Sequence, residues 1–572
     1  MSNGFEIEGT NPAAPFTLKL HRGDGMALVA MNWKNSPPPV DFVGFAIEYK
    51  EPGGDRFFPL KNRLTFPNVG GGVNPNRLST RLSPIQLFRW VHFPRNADLE
   101  GEFVYRVTPV FMNAVDELSY GEAQEVALEL RRETHPGKLN LSYTRGFVSS
   151  QAFVERFEAF GPISTLLPPK ADDGLTFVPT HPKTKEALAW MGFEARSCIL
   201  AVLDEAIADP TAQVGVVAYD LSEPELVNRL VLLGNRLRVI IDDDGTHQPP
   251  HSGESQAEQR LIASAGAANV KRQHMGGLQH NKMIVVDGPN RQVAVCGSTN
   301  FSWRGFYVQA NNAVIVQGKP AIQPFLAAFE AYFQNNNSAT AFGNSGAAVM
   351  TPLNLTGIDA QVAFSPHVKK NALLAKIADD IRSNTTSSLF YSLAFLFQTP
   401  GAIRDAINQV TQDPGIFVYG ISDKRSGGIN LLQPGGNVAP VHAAALGKNA
   451  PEPFKSEPTG GGGTRMHHKF VLIDFDKPTA RVYLGSYNFS LAADTKNGEN
   501  LLLIRDRRVA VSYMIEALRI FDHYQFRVAQ QQAKTAKRQL ALARPPRNPG
   551  ELPWWSAHYS HPLKIRDREL FA

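Results

Sequence analysis

Residues 280–287 read HNKMIVVD and residues 467–474 read HHKFVLID, so one spacing occurs twice: a histidine, a lysine two places on, then an aspartate after four apolar residues. The two histidines stand 187 positions apart (467 minus 280). Each apolar run predicts a buried strand, along which side chains alternate between faces. His280 and Lys282 then share one face, about 7 Å apart, as do His467 and Lys469. Asp287 and Asp474 fall on the other parity, suited to brace the strand end rather than to react. His468 is expected to point away from His467 and to be structural. Two imidazoles and two ammonium groups suit displacement at a phosphodiester. One neutral imidazole attacks phosphorus while the other, as imidazolium, protonates the leaving oxygen. The lysines offset charge on the non-bridging oxygens. This chemistry needs no metal ion and no organic cofactor, and none is expected.

Each run leads into a Gly-Ser turn, CGSTNFS at 296–302 and LGSYNFS at 484–490. Ser298, Asn300, Ser486 and Asn488 supply hydroxyl and amide groups expected to hold phosphate oxygens. Upstream of each run, helical spacing alternates with short apolar runs. ARSCILAVLDEAIADP, QVGVVAYD, EPELVNRLVLLGN and LRVIID precede the first, and NALLAKIADDIRSN, SSLFYSLAF, GAIRDAINQVTQD and GIFVYGISD precede the second. This is an internal duplication of an α/β unit with helix-covered sheets, over residues 146–345 and 346–530. Duplicated units pair about a pseudo-twofold axis, which brings both His-Lys pairs to one cleft. Residues 1–133 instead alternate in short strand-like runs separated by Pro, Gly and Asn, the pattern of an all-β sandwich. Residues 531–572 read as a basic and aromatic tail.

Bulk properties agree with a folded multidomain chain. Its 572 residues exceed one ordinary core, 43% are hydrophobic and 19% charged. A net charge of +5 is mild over this length and permits an anionic partner without demanding nucleic acid. The two cysteines, Cys198 and Cys296, make no disulfide framework and read as buried thiols. MSNGFEIEGT has neither a basic nor an apolar leader region, and SLFYSLAFLF is only half a membrane span. The expectation is a chain that is not transmembrane and is cytoplasmic, or exported by a route without a cleavable signal peptide.

The ordered pair of HxKxxxxD runs, each followed by a Gly-Ser-x-Asn turn, resembles the phospholipase D superfamily over roughly residues 175–520. The resemblance implies a covalent phosphohistidine intermediate resolved by water or an alcohol, with His280 as nucleophile and His467 as general acid and base. The superfamily often carries an acidic residue bonded to the catalytic imidazole. Here Glu499 lies thirteen residues past Ser486, and Asn311 lies thirteen past Ser298. The expectation is that Glu499 sits beside His467 and favours its imidazolium form, while Asn311 sits beside His280 and leaves that ring neutral. Trp33, Tyr49 and Tyr105 give residues 1–133 a resemblance to a fibronectin type III domain.

Phospholipid at a membrane surface is the expected partner, with the distal phosphodiester cleaved by hydrolysis or transphosphatidylation. A nuclease of the same superfamily acting on DNA or RNA is the alternative. Phe301, Trp303, Phe306, Tyr307, Phe395, Phe397, Tyr487 and Phe489 offer either an acyl-chain entrance or stacking faces for bases, unless they are core. Asp242, Asp243 and Asp244 offer cation ligands, but acids ending a strand before glycine more often cap a turn. PTGGGGT at 458–464 lacks the order of a phosphate loop and reads as a mobile connection at a lid edge. His181 and His367 occupy similar places in the two halves, bordering the cleft or serving as ordinary loop histidines. Lys534, Lys537, Arg538, Arg544 and Arg547 with Trp554 and Trp555 suit either an anionic lipid surface or a tail pinned to the body.

Overall fold

A computed structural model describes residues 4–572 except 36, 69–71, 75, 131–132, 170–173, 336, 395, 397–400, 424–428, 437 and 442–466. Two units emerge, residues 1–132 with 511–572, and residues 133–510. PTGGGGT, Phe395 and Phe397 lie outside the described residues.

In the first unit the N-terminal residues form an all-β sandwich, and the C-terminal residues are largely helical, including Ala557–Ser560 and Pro562–Phe571. Strands Phe16–Arg22 and Ala27–Trp33 belong to a four-stranded sheet, and Phe42–Lys50 and Glu102–Met112 to a five-stranded one. Alternate residues of both sheets, among them Phe16, Leu18, Val29, Phe45, Ile47, Tyr105 and Val107, meet in one core. The C-terminal residues complete it. Trp554 lies 5.3 Å from the Phe88 ring and 5.7 Å from the Phe42 ring. Its indole N–H donates to the Phe42 carbonyl at 3.1 Å, and that of Trp555 donates to Pro39 at 3.3 Å. Arg544 and Arg547 pair with Asp116. The tail is pinned by its aromatics.

The second unit contains the duplication. In the first repeat the strand order is Leu139–Tyr143, Asn312–Gln317, Gln292–Gly297, Lys282–Asp287, Gln213–Ala218, Leu237–Asp242, Val270–Gln273. In the second, Asp359–Ser365, Glu499–Arg505, Arg481–Gly485, Phe470–Ile473, Ser388–Leu393 and Phe417–Asp423 follow the same order. Each sheet mixes parallel and antiparallel pairs: Gln213–Ala218 runs parallel to Leu237–Asp242 and antiparallel to Lys282–Asp287. The His-Lys strand is central in both, buried on both faces, which is why Met283–Val286 and Phe470–Ile473 are continuously apolar. No helix among the described residues is long and apolar enough to cross a membrane.

Candidate active site

The central strands begin at Lys282 and Phe470, so His280 and His467 lie in the extended segments just before them rather than within the ladder. The two rings face one another with centroids 6.4 Å apart. Both are 6% exposed, and Lys282 and Lys469 are 1% exposed, so all four groups are buried. Each lysine turns back on its own motif: Lys282 Nζ donates to the His280 carbonyl, and Lys469 Nζ to the His467 carbonyl at 2.7 Å.

The partners of the two imidazoles are exchanged relative to the sequence expectation. His280 Nδ1 bonds Glu499 Oε2 at 2.7 Å, and His467 Nδ1 bonds Asn311 Oδ1 at 2.7 Å. Glu499 and Asn311 begin, or immediately precede, the strand that follows each Gly-Ser turn, and that strand end reaches across to the other repeat's histidine. Asn311 Nδ2 donates to Gly305 O at 2.8 Å, which fixes Oδ1 as the atom facing the ring. His467 Nδ1 must therefore carry the proton, and Nε2 is left for chemistry. When Glu499 is ionised it can only accept, and His280 then adopts the same tautomer.

The serines are a second correction. Ser298 Oγ donates to Asn311 Oδ1 at 3.0 Å and accepts from the Asn312 amide at 3.1 Å. Ser486 Oγ accepts from the Asn500 amide at 2.9 Å and also bonds Glu499. A hydroxyl has one proton, and each is committed to bracing the residue behind an imidazole, not to phosphate. Asn300 and Asn488 differ, because among the described residues their buried Oδ1 atoms have no hydrogen-bond partner. The turns need glycine: Gly297 and Gly485 have φ of 128° and 141°, and a Cβ on Gly297 would stand 2.6 Å from the Asn312 carbonyl.

Residues that motif reading passes over stitch the repeats together. Asn500 Nδ2 donates to Asn281 Oδ1 at 2.7 Å, and Asn312 Nδ2 meets His468 Nδ1 at 3.2 Å, so the middle residue of each motif joins the opposite half. The signal is the asparagine that follows both Asn311 and Glu499. His468 is fully buried and structural. Asp474 accepts from the Thr386, Ser387 and Ser388 amides at 2.8–3.0 Å, whereas Asp287 ends its strand opposite Gln213 and Gln292, half-buried.

Other candidates find structural places. Phe301, Trp303, Phe306, Tyr307, Tyr487 and Phe489 are buried core, neither acyl entrance nor stacking platform. His181 bonds Gly161 and Lys183 within its loop, and His367 bonds Asp494 at 2.7 Å. Asp242 does cap its turn, accepting from the Asp244 amide at 2.8 Å, and, fully buried, it also accepts from the Gln279 amide at 2.6 Å, one residue before His280. Asp243 bonds His274 at 2.5 Å, and Asp244 donates its amide to Asp242.

Electrostatics follow from burial. Desolvation, reinforced by Lys282 and Lys469, holds His280 well below the usual imidazole range. Desolvation likewise lowers His467, with Lys469, Lys282, His280 and Arg304 adding to it. Burial pushes the Glu499 carboxyl up to about 8 against the pull of Lys282, and brings Lys282 down to about 8 against the pull of Glu499. Both rings are neutral in the empty cleft at pH 7.

Residues 203–333 and 378–521 match the family model described as cardiolipin synthase, PLD-like domain. The chain carries this domain in two repeats and belongs through them to the phospholipase D superfamily, whose members act on phosphodiesters. Phospholipase D of Rickettsia prowazekii is 46% identical over 48 residues, 8% of this chain and 22% of that protein. The chain thus spans less than a quarter of the curated relatives it matches. Phosphatidylserine synthase of Haemophilus influenzae aligns at 11% identity and TM-score 0.42, over 60% of this chain and 92% of that one. The phospholipase D family member Nuc of Salmonella typhimurium aligns at 22% identity and TM-score 0.21, over 25% and 88%.

Proposed function

We propose that the protein is a phospholipase D-type phosphodiesterase that cleaves the distal phosphodiester of phospholipids through a phosphohistidine on His280, the two histidines and two lysines carrying the chemistry without a metal ion. One observation carries the assignment of roles: His280 faces a carboxylate and His467 a neutral amide. When His280 Nε2 bonds phosphorus while Nδ1 keeps its proton, the ring becomes cationic, and Glu499 stabilises that charge. His467 gives its Nε2 proton to the leaving oxygen as the P–O bond breaks. It first takes that proton from water, because the arriving phosphate anion raises its pKa. Lys282 and Lys469 offset the non-bridging oxygens. Water or an alcohol then attacks phosphorus with His467 as base, and His280 departs.

Support for a lipid substrate comes from the description of the matching family and from the short phospholipase D matches. The buried aromatics favour neither substrate, since they offer no stacking platform for bases and no acyl-chain entrance. The test offers phospholipid vesicles, single- and double-stranded DNA, and RNA to wild type and His280→Ala without added divalent ions. Head group released by wild type alone is expected, and ethanol then reports transfer to an alcohol. Cut nucleic acid with intact lipid would replace the lipid reading with the nuclease one.

A further inference from the structure

Behind the His280 wall of the cleft lies a second group of ligating side chains that the phosphodiester chemistry does not use. Asp220, His247 and Glu254 each bring one ligand atom to within 4.8 Å of the others. Asp220 follows the strand Gln213–Ala218, Glu254 is the second residue of the helix Gly253–Ala265, and His247 lies in the segment between Leu237–Asp242 and that helix. In the second repeat Ala394 takes the place of Tyr219 after the equivalent strand, Ser388–Leu393, so the repeats diverge here.

The two nitrogens of His247 make different contacts. Nδ1 meets Asp242 Oδ2 at 2.7 Å, a full hydrogen bond to a fully buried carboxylate. Nε2 stands 3.5 Å from Asp220 Oδ1. That is too long for a charge-assisted hydrogen bond, which closes to about 2.7–2.9 Å. It does match two neighbouring ligands of one cation: atoms about 2.1 Å from a tetrahedral ion stand about 3.4 Å apart. A carboxylate on the far nitrogen of a ligating histidine is the usual outer support of such a site, and a cation bound at Nε2 takes the place of the proton there. The remaining oxygens are held in place. Asp220 Oδ2 accepts from Ser302 Oγ at 3.1 Å, and Glu254 Oε1 accepts from the Leu221 amide at 2.9 Å. The His247 side chain is 9% exposed and that of Asp220 23%, which leaves one side open for entry and a water ligand.

We propose that Asp220, His247 and Glu254 bind a dication of the Zn2+ class, with Asp242 as the outer carboxylate and water completing the coordination. One imidazole with two carboxylates suits zinc or manganese better than calcium or magnesium. The ion takes no step in phosphodiester cleavage. Its place is structural: the Tyr219 ring lies 4.8 Å from His247 on one side and 4.8 Å from His280 on the other. Asp220 ties the ion to Ser302 of the first Gly-Ser turn, and Asp242 ties it to the Gln279 amide. A cation here would lock the walls that position the nucleophile.

The test measures metal content, not turnover. Full-length protein is stripped with chelator, equilibrated with Zn2+ or Co2+, desalted and assayed by elemental analysis, with visible absorption for the cobalt form. One ion per chain is expected in wild type and in a His280→Ala/His467→Ala double variant. Asp242→Asn should weaken retention about 10–100-fold. His247→Ala and Asp220→Asn should abolish it, the near-isosteric Asp220→Asn deciding the matter if His247→Ala does not fold. No retained ion in folded wild type, or retention unchanged in Asp220→Asn, would overturn the site. Retention lost in the double variant would overturn it too, placing the ion in the cleft between the catalytic imidazoles.

Discussion

The Glu499 carboxylate holds Nδ1 of His280 at 2.7 Å from across the repeat boundary, and it does so while fully buried. A carboxyl in that position raises the free energy of the empty fold and lowers that of the cationic phosphohistidine. Its folded pKa stands above its unfolded value, so the folded state binds the extra proton, and stability is lost as pH rises from about 4.5 towards 8.

Glu499→Gln therefore moves stability and activity in opposite directions. Its amide oxygen still accepts from His280, so the ring stays in place, but it cannot become the anion that the cationic phosphohistidine draws from Glu499. We expect kcat to fall on the order of 10²–10⁴-fold with little change in KM. Melting temperature should equal or exceed wild type, the difference growing between pH 5 and pH 8. Denaturation scans across that range decide it: a variant uniformly less stable than wild type would mean that Glu499 is chiefly a structural brace.

His467→Ala separates the two chemical steps. With a phosphodiester whose leaving group needs no protonation, such as a nitrophenolate, His280 can still be phosphorylated, whereas the water step loses its base. The covalent adduct should accumulate, and peptide mapping by mass spectrometry should place it on His280. A label elsewhere would invert the roles of the two histidines.

Why the reactive pairs are legible in sequence, and their partners are not, has a geometric reason. Spacing along a strand sets which residues share its face, so His280 with Lys282 and His467 with Lys469 follow from local periodicity, as do the buried central strands. Which strand end then meets which imidazole is set by how two sheets pair about a pseudo-twofold axis. No local pattern encodes that, so Glu499 and Asn311 are assigned to the wrong rings by their nearness in sequence to each motif. Ser298 and Ser486 mislead similarly: their residue type suits phosphate, but the geometry of the Gly-Ser turn directs each hydroxyl to a neighbouring side chain. Asp242 is legible as a turn acid, since it accepts from the Asp244 amide, but its second contact, with Gln279, spans 37 residues and has no local signal.

Trp554 tests the alternative that the C-terminal tryptophans meet lipid. Its ring packs on Phe42 and Phe88 and its N–H is satisfied, so it is half-buried against the sandwich core. Trp554→Ala should destabilise the protein by about 2–4 kcal/mol, read by denaturant titration. Sedimentation with anionic vesicles should show affinity unchanged; a tenfold loss without loss of stability would restore the lipid-facing reading.

The pH dependence follows from two imidazoles that are both depressed. In free enzyme His280 must be neutral to attack and His467 charged to donate, yet burial and the lysines hold both rings below 6.5. The acid limb of kcat/KM is then the neutralisation of His280 with rising pH, and the alkaline limb is loss of the His467 proton. Both fall on the acid side, so kcat/KM should peak below pH 6.5, and its decline should steepen near pH 8 as Lys282 discharges. Bound phosphate attracts the imidazolium, so the alkaline limb of kcat should lie at higher pH than that of kcat/KM. Lys282→Arg keeps its charge throughout and should remove the steepening near pH 8 without moving the first limb. Steady-state profiles from pH 4.5 to 9.5 carry the test, and a kcat/KM maximum at pH 8 or above would show that His467 is not the proton donor in the first step.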